Sequence, residues 1–371
     1  MATTRIRTTA TTEVDGLGAA ANQAKVSAAR TPIHVAIGIL ARNEADRIEA
    51  LLRDVARQTL LDSQGMVIRI YVVANGCSDA TARVAREVFK GERFGGVETA
   101  VYEIAQAGKA NAWNEFVHEV LPGETDFVFF LDADIRIPQD SDLLLILRSL
   151  RDSPLAVVAV DRSVKDLQLE ETKGLVEWLI KKGTGTANDT RTAIAGALYC
   201  VRYSEIAGIW MPLGLPGEDG FLRAMLLTSS FSHEEQLQRH LFVEGAYHVF
   251  ESMRDAKSVF RHNVRLAIGT AINILLFGEL RRVRAEGHDV AAYVRSRNLA
   301  SATWVDDLVK QRLEMSYFPL QPRFLLRRLQ QPRSWRSVKA FTLALFGTAF
   351  DLTVFMRATS LMRRGAGAGY W

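Results

Sequence analysis

The chain has 371 residues, 48% of them hydrophobic and 24% charged, a balance that fits a folded globular protein and excludes a disordered or collagen-like one. Two cysteines, Cys77 and Cys200, supply neither a disulfide framework nor a zinc pattern, in keeping with a reducing compartment. The net charge of +4 hides an asymmetry: from Arg261 onward 18 Lys/Arg stand against 7 Asp/Glu, so the C-terminal part suits an anionic partner and the remainder is acidic.

Residues 1–30 are small and polar with no apolar core, which excludes a secretory signal and predicts a flexible tail, its Arg/Thr/Ala bias faintly resembling a transit peptide. Residues 33–40 read as a buried strand, and Asn43-Glu44 opens an amphipathic helix to about residue 59. A second strand, 69–74, breaks at Asn75-Gly76, after which Ser78-Asp79 can cap a helix through 88. A third strand at 99–104 leads through Gly108-Lys109 into a helix ending near 120. The run 127–131 (FVFFL) is apolar on both faces, as in a parallel sheet. A helix at 141–151 and a strand at 155–160 follow. Strands alternating with helices predict βαβ units and a mostly parallel sheet.

Beyond Asp161 the alternation weakens. Residues 167–182 look helical, 183–186 (GTGT) form a loop, and 194–202 form a strand beside the first half. The Pro/Gly turn 212–217 delivers Glu218-Asp219 to the start of a helix through 227, and 242–250 is a last strand. This gives a tail (1–30), an α/β domain (31–262) and a helical, basic region (263–371). Within the last, 340–356 is an apolar stretch of 17 residues interrupted only by Asp351. A membrane span needs roughly 20 apolar residues, so the stretch is short for one. Arg323, Arg327, Arg328, Arg333, Arg336 and Lys339 precede it, and Arg357, Arg363 and Arg364 follow. Such flanks suit anionic lipid head groups; a core or dimer helix is the alternative.

Asp132-Ala133-Asp134 closes the FVFFL strand at its carboxyl end, where open α/β sheets place their ligands. Paired carboxylates there can hold a hard divalent cation that bridges nucleotide phosphates, although Asp is also common in turns. A cation of this kind acts as a Lewis acid on a departing diphosphate. A base must then take the proton of the attacking hydroxyl from across the cleft, and Glu218-Asp219 is the best candidate pair; complementarity to a helix N-terminus is the competing explanation. Asn75 can both donate to and accept from a base edge, or simply make a turn. Lys109, at a helix start, is placed to meet a phosphate or ribose, or else is solvated.

The ordered motifs at 37–44 (IGILARNE), 72–79 (VVANGCSD), 108–114 (GKANAWN), 131–134 (LDAD) and 217–219 (GED) resemble those of family 2 glycosyltransferases over about residues 33–265. The resemblance implies a GT-A fold, a Rossmann-like sheet flanked by helices, and inverting, metal-dependent sugar transfer from a nucleotide-diphosphate donor. It places Ala41, Glu44, Asn75 and Lys109 at the base and ribose, and Asp132, Ala133 and Asp134 at the DxD pair, with Asp134 the usual ligand of Mn or Mg. Asp219 falls on the general base of the Glu-Asp motif, beside Glu218. His248 is placed like a histidine that completes the metal site in some members, with a structural role as the alternative. UDP is favoured over GDP, although Asn75 and Ala74 stand where the family commonly has acidic residues.

Residues 261–265 (RHNVR), which include His262, partly resemble the Gln-x-x-Arg-Trp signature of processive members but lack its Gln and Trp. A single transfer is therefore expected, onto a lipid, lipid-linked or cell-envelope glycan acceptor. The expected place is the cytoplasmic side of the plasma membrane, with the protein peripheral or singly anchored on an anionic surface. The alternatives are transfer onto a soluble acceptor with the C-terminal helix as a dimer element, and a non-catalytic sugar- or lipid-binding scaffold. A nucleotidyltransferase would need a Gly-rich phosphate loop after the first strand, which 40–44 (LARNE) does not offer. No G-x-G-x-x-G follows a strand, which argues against NAD, and no motif indicates nucleic acid.

Overall fold

A computed structural model describes residues 31–94, 96–169, 192–194, 196–315, 325, 328–330 and 337–364. The expected tail at 1–30, the helix from 170 to 182, the loop at 183–186 and Arg323, Arg327, Arg333 and Arg336 lie outside the described residues. The strands are β1 (Ile33–Ala41), β2 (Met66–Asn75), β3 (Glu98–Ile104), β4 (Phe127–Asp132), β5 (Ile135–Arg136), β6 (Val158–Lys165), β7 (Leu198–Arg202) and β8 (His240–Phe250). They form one sheet in the order β3-β2-β1-β4-β7-β6-β8-β5. The pairs β3-β2, β2-β1, β1-β4 and β6-β8 are parallel; β7 runs antiparallel between β4 and β6, and β5 antiparallel to β8.

Both faces of the central strands are buried, which is why β1 and β4 read as unbroken apolar runs. Ile37, Ile39, Phe129 and Leu131 point to one core with Leu51, Leu52 and Leu147 of the helices α1 (Ile48–Ala56) and α4 (Asp142–Arg151). Ala36, Leu40, Val128 and Phe130 point to the other, with Trp113 and Phe116. Helix α3 (Lys109–Glu115) lies on this second face and widens into a π turn, Phe116–Val120, where a continuous helix was expected. The Phe116 ring sits over Gly38, where a Cβ would fall 2.1 Å from it. Only glycine lets the helix approach β1 so closely.

Three boundaries differ from expectation for physical reasons. Helix α1 starts at Ile48 rather than Asn43, because Asn43 adopts φ 56° and its side chain accepts from Ser78 N. Strand β6 starts at Val158, after an exposed Leu155, and continues through Asp161, whose carboxylate is buried by a partner rather than turned to solvent. Finally, helix α6 (Ala256–Ala285) runs through residue 262 without a break, so the expected division between the α/β domain and the helical region lies inside one helix.

Among the described residues the other helices longer than one turn are α2 (Thr81–Phe89), α5 (Glu218–Leu227), α7 (Val290–Ala300), α8 (Trp304–Met315) and α9 (Val338–Arg363). The C-terminal region is thus helical, as expected. Its apolar side joins the core of the second sheet face through Val264, Ile268 and Ile272 of α6 and Val354, Phe355 and Leu361 of α9.

Candidate active site

Strand β4 ends at Asp132, whose backbone N–H donates to Ala197 O at 2.9 Å. The side chains of the turn then alternate: Asp132 is half-buried, Ala133 buried and Asp134 exposed. Ala133 anchors the turn in the core, and Asp132 lines a cleft together with Lys109, Glu218 and Asp219. Lys109 Nζ, from the first turn of α3, lies 2.8 Å from Asp132 Oδ1 and 3.5 Å from Glu218 Oε1. It bridges the end of β4 to the start of α5, the two places where carboxylates were expected to work together.

The electrostatics follow from this crowding. Burial alone would lower the Lys109 pKa, yet Asp132, Asp219 and Glu218 together hold it well above the usual lysine value. Burial raises Asp132, against the pull of Lys109 and with a further push from Asp134 and Glu218. Asp219 is raised to about 7, first by burial and then by Glu218 and Asp132, with Lys109 and Arg265 opposing. A carboxylate titrating near neutral pH is suited to taking a proton from a hydroxyl.

Glu218 and Asp219 are the first residues of α5, on the turn that follows Gly217. The turn is held from behind by α6, where Asn273 Nδ2 donates to Gly217 O at 2.8 Å. On the open side, Gly196 (φ 65°) approaches so closely that a Cβ there would fall 2.2 Å from Asp219 Oδ1. Tyr199 on β7 accepts from Trp113 Nε1 at 3.2 Å and closes the floor with Leu40 and Met211.

The loops after β1 and β2 are stitched together. Glu44 N donates to Thr81 Oγ1 at 2.8 Å and Ala45 N to Asp79 Oδ2 at 3.0 Å. Ala41 is buried at the end of β1, and Glu44 stands half-buried beyond it. Burial raises the Glu44 pKa, opposed by Arg47, and the fields of Asp134 and Asp132 raise it further, so Glu44 belongs to the same electrostatic group as the pair. Asn75, expected at the base, is buried, and its Oδ1 accepts from Gly108 N at 2.9 Å, which sets the entry to α3.

Ala41, Glu44, Lys109, Asp132, Ala133, Asp134, Glu218 and Asp219 therefore gather at one end of the sheet. His248, expected as a further metal ligand or as a structural residue, has its ring wholly buried in β8; Nδ1 lies 2.8 Å from Asp161 Oδ1 on β6, while Nε2 has no hydrogen-bond partner among the described residues. Among the described residues, no group of three or more His, Cys, Asp or Glu side chains is arranged to hold a metal ion. The pair still fits a cation of the Mg or Mn type, which commonly takes one or two protein carboxylates and fills its remaining positions with water and substrate phosphate.

Sequence reasoning missed Arg47, Glu251, Gly196 and Arg265. Arg47 bonds both Glu44 and Glu251 and feels Asp134, so it spans the mouth of the site from β1 to β8. Each is set by tertiary contacts; Gly196, a glycine near a strand start, and Arg265, at the Arg position of the partial Gln-x-x-Arg-Trp resemblance, left a signal in the sequence.

Residues 36–198 match the family described as Glycosyl transferase family 2. No curated protein matches the chain. Among solved structures, the chain is similar to mannosyl-3-phosphoglycerate synthase from Rubrobacter xylanophilus at 18% identity, covering 69% of this chain and 76% of that one with a TM-score of 0.45. It is also similar to a mannosyltransferase from Pyrobaculum calidifontis in complex with GDP-Man and Mn2+, at 14% identity, 95% and 91% coverage and a TM-score of 0.46. Glucosyl-3-phosphoglycerate synthase from Mycobacterium tuberculosis, in complex with Mn2+, UDP-Glc and phosphoglyceric acid, matches at 14% identity, 64% and 78% coverage and a TM-score of 0.43.

Proposed function

We propose that the chain, whose residues 36–198 match the family described as Glycosyl transferase family 2, is an inverting glycosyltransferase that makes a single transfer from a nucleotide-diphosphate sugar to an acceptor hydroxyl. The observation that carries the reading is Lys109, which joins Asp132 at the end of β4 to Glu218 at the start of α5 and so brings donor-side and acceptor-side carboxylates together. In this reading Asp219 takes the hydroxyl proton as the acceptor oxygen bonds to the anomeric carbon. The bond from that carbon to the diphosphate breaks on the opposite face, and the electron pair leaves with the diphosphate.

Asp134, with Asp132, would hold a Mn or Mg ion, which supplies Lewis-acid neutralisation of the leaving diphosphate when bound. Lys109 keeps Asp132 charged and in place. Glu218 sets the field around Asp219, while Ala41, Glu44 and Asn75 shape the nucleoside end, with UDP favoured over GDP. The basic C-terminal region supports a lipid, lipid-linked or cell-envelope glycan acceptor, handled at the cytoplasmic face of the plasma membrane.

The test is donor hydrolysis and nucleotide binding across UDP-, GDP- and dTDP-sugars with Mn or Mg, for the parent chain and for Asp219→Asn. Loss of turnover with donor binding retained is the expected result for the variant. Absence of both hydrolysis and metal-dependent nucleotide binding in the parent chain would overturn the reading.

A further inference from the structure

We propose that α9 lies in the plane of an anionic lipid surface, with one face against the protein and the other in the lipid, and does not cross the bilayer. This rests on the reading of the C-terminal region as membrane-facing and supplies its geometry. Val338, Leu345, Leu352 and Met356 recur at steps of seven, seven and four, which puts them on one side of a helix of 3.6 residues per turn. They are exposed, as is the flanking Phe346 at 72%. On the other side Val354, Phe355, Ala358 and Leu361 are buried, and the Phe350 ring packs edge-on against Phe260 of α6 at 6.1 Å.

Asp351 decides between lying and spanning. Its side chain is wholly buried on the protein side, paired with Arg328 through Nε to Oδ2 at 2.8 Å and Nη2 to Oδ1 at 3.2 Å. Gly347, one turn earlier, leaves room for this reach; a Cβ there would fall 2.6 Å from Arg328 Cδ. The exposed face of the helix is therefore free of carboxylates, whereas the protein-facing side carries the ion pair of buried Asp351 among its apolar contacts. A spanning helix meets hydrocarbon all round, whereas an interfacial helix needs one apolar face and a charged flank. The flank is present in Arg357 and Arg364, both exposed at the C-terminal end.

Charge decides the occupant. The region from Arg261 onward carries 18 Lys/Arg against 7 Asp/Glu. A second copy would pair this basic surface with itself, because a two-fold contact is self-complementary. Anionic lipid instead gains from each basic residue near the surface. Helix α6 connects the face to the chemistry: it presents Leu266 and Ile274 to the exterior, one turn either side of Thr270, while its Asn273 holds the turn before Glu218 and its Arg265 acts on Asp219. A lipid-borne hydroxyl would thus arrive beside the helix that positions the base.

The experiment is flotation of the full chain with preformed vesicles of equal parts phosphatidylcholine and phosphatidylglycerol, against phosphatidylcholine alone, for the parent and for Phe346→Asp/Leu352→Asp. The parent should float with the anionic vesicles only, and the exposed double substitution should lower binding about tenfold or more, with donor hydrolysis unchanged. Equal flotation of parent and variant would overturn the proposal, whatever the hydrolysis. So would no flotation, with a concentration-dependent dimer that the double substitution abolishes. A chain that floats as described but neither hydrolyses a nucleotide sugar nor binds one would sink the transferase reading and leave the lipid face standing.

Discussion

Gly196 and Asp219 stand so close that a single methyl group on the first would collide with the carboxylate of the second, at 2.2 Å from Oδ1. The left-handed φ of 65° at Gly196 sharpens the constraint, because other residues adopt it at a cost of roughly 1–2 kcal/mol. Gly196→Ala is expected to lower kcat by about 100-fold, the scale on which an ångström of misplacement acts. Steady-state kinetics check this, with KM for the donor nearly unchanged. A large rise in donor KM at constant kcat would show that Gly196 shapes the donor pocket instead.

Asp219 gives the reaction a pH signature. Its carboxyl is raised to about 7 by burial, so turnover should fall as the pH drops through that value and the base becomes protonated. The same shift has a stability consequence of definite sign. Between the ordinary value of 3.8 and about 7 the folded chain holds a proton that the unfolded chain has released. Stability from this group is therefore present at low pH and lost as pH rises through that window. Asp219→Asn should remove the acid limb of turnover together with turnover itself, and should melt higher than the parent above pH 7. Thermal denaturation across pH reads the second effect even in an inactive variant.

Lys109 offsets three carboxylates at once. Lys109→Met leaves Asp132 and Glu218 facing each other without it, at an expected cost of about 1–3 kcal/mol for an uncompensated polar group. Any remaining activity should show its acid limb at higher pH, because the cation that lowers Asp219 is gone. An unchanged pH profile would remove Lys109 from the electrostatics of the base.

Asp134 and His248 separate cleanly in a paired test. Asp134 is exposed, so Asp134→Asn should leave thermal stability within about 0.5 kcal/mol of the parent, as surface changes do. Its affinity for Mn in the presence of UDP should fall by about 10–100-fold. His248→Gln should do the reverse. Leaving buried Asp161 unpaired costs about 1–3 kcal/mol, with Mn affinity unaltered. Titration calorimetry and denaturant melts distinguish the two; a weakened Mn affinity in the His248 variant would assign that residue to the metal site.

What the sequence revealed depended on the range of the interactions involved. Strands β1, β2 and β4 were legible because both faces are buried and their apolar runs end abruptly in polar residues. Asp132, Asp134, Glu218 and Asp219 were legible because each sits where an element begins or ends, and such positions advertise themselves locally. The pairing of His248 with Asp161 was not, because the two lie 87 residues apart on neighbouring strands, and nothing in either segment announces the other. The extension of β6 beyond residue 160 was missed for the same reason, since a buried carboxylate in a strand looks like a loop until its imidazole is found. Arg47 and Glu251 are 204 residues apart and meet only because the chain returns through β8 to the sheet that β1 began.

The stitching between the loops after β1 and β2 bears on how a donor would be received. Glu44 N, Ala45 N and Ser78 N are already satisfied by Thr81, Asp79 and Asn43. A nucleoside settling there meets a surface whose backbone donors have been spent on holding its own shape. Little ordering entropy is left to lose on association in this half. The heat-capacity change of nucleotide binding should then reflect the apolar area covered, without the excess that accompanies a segment folding around its ligand.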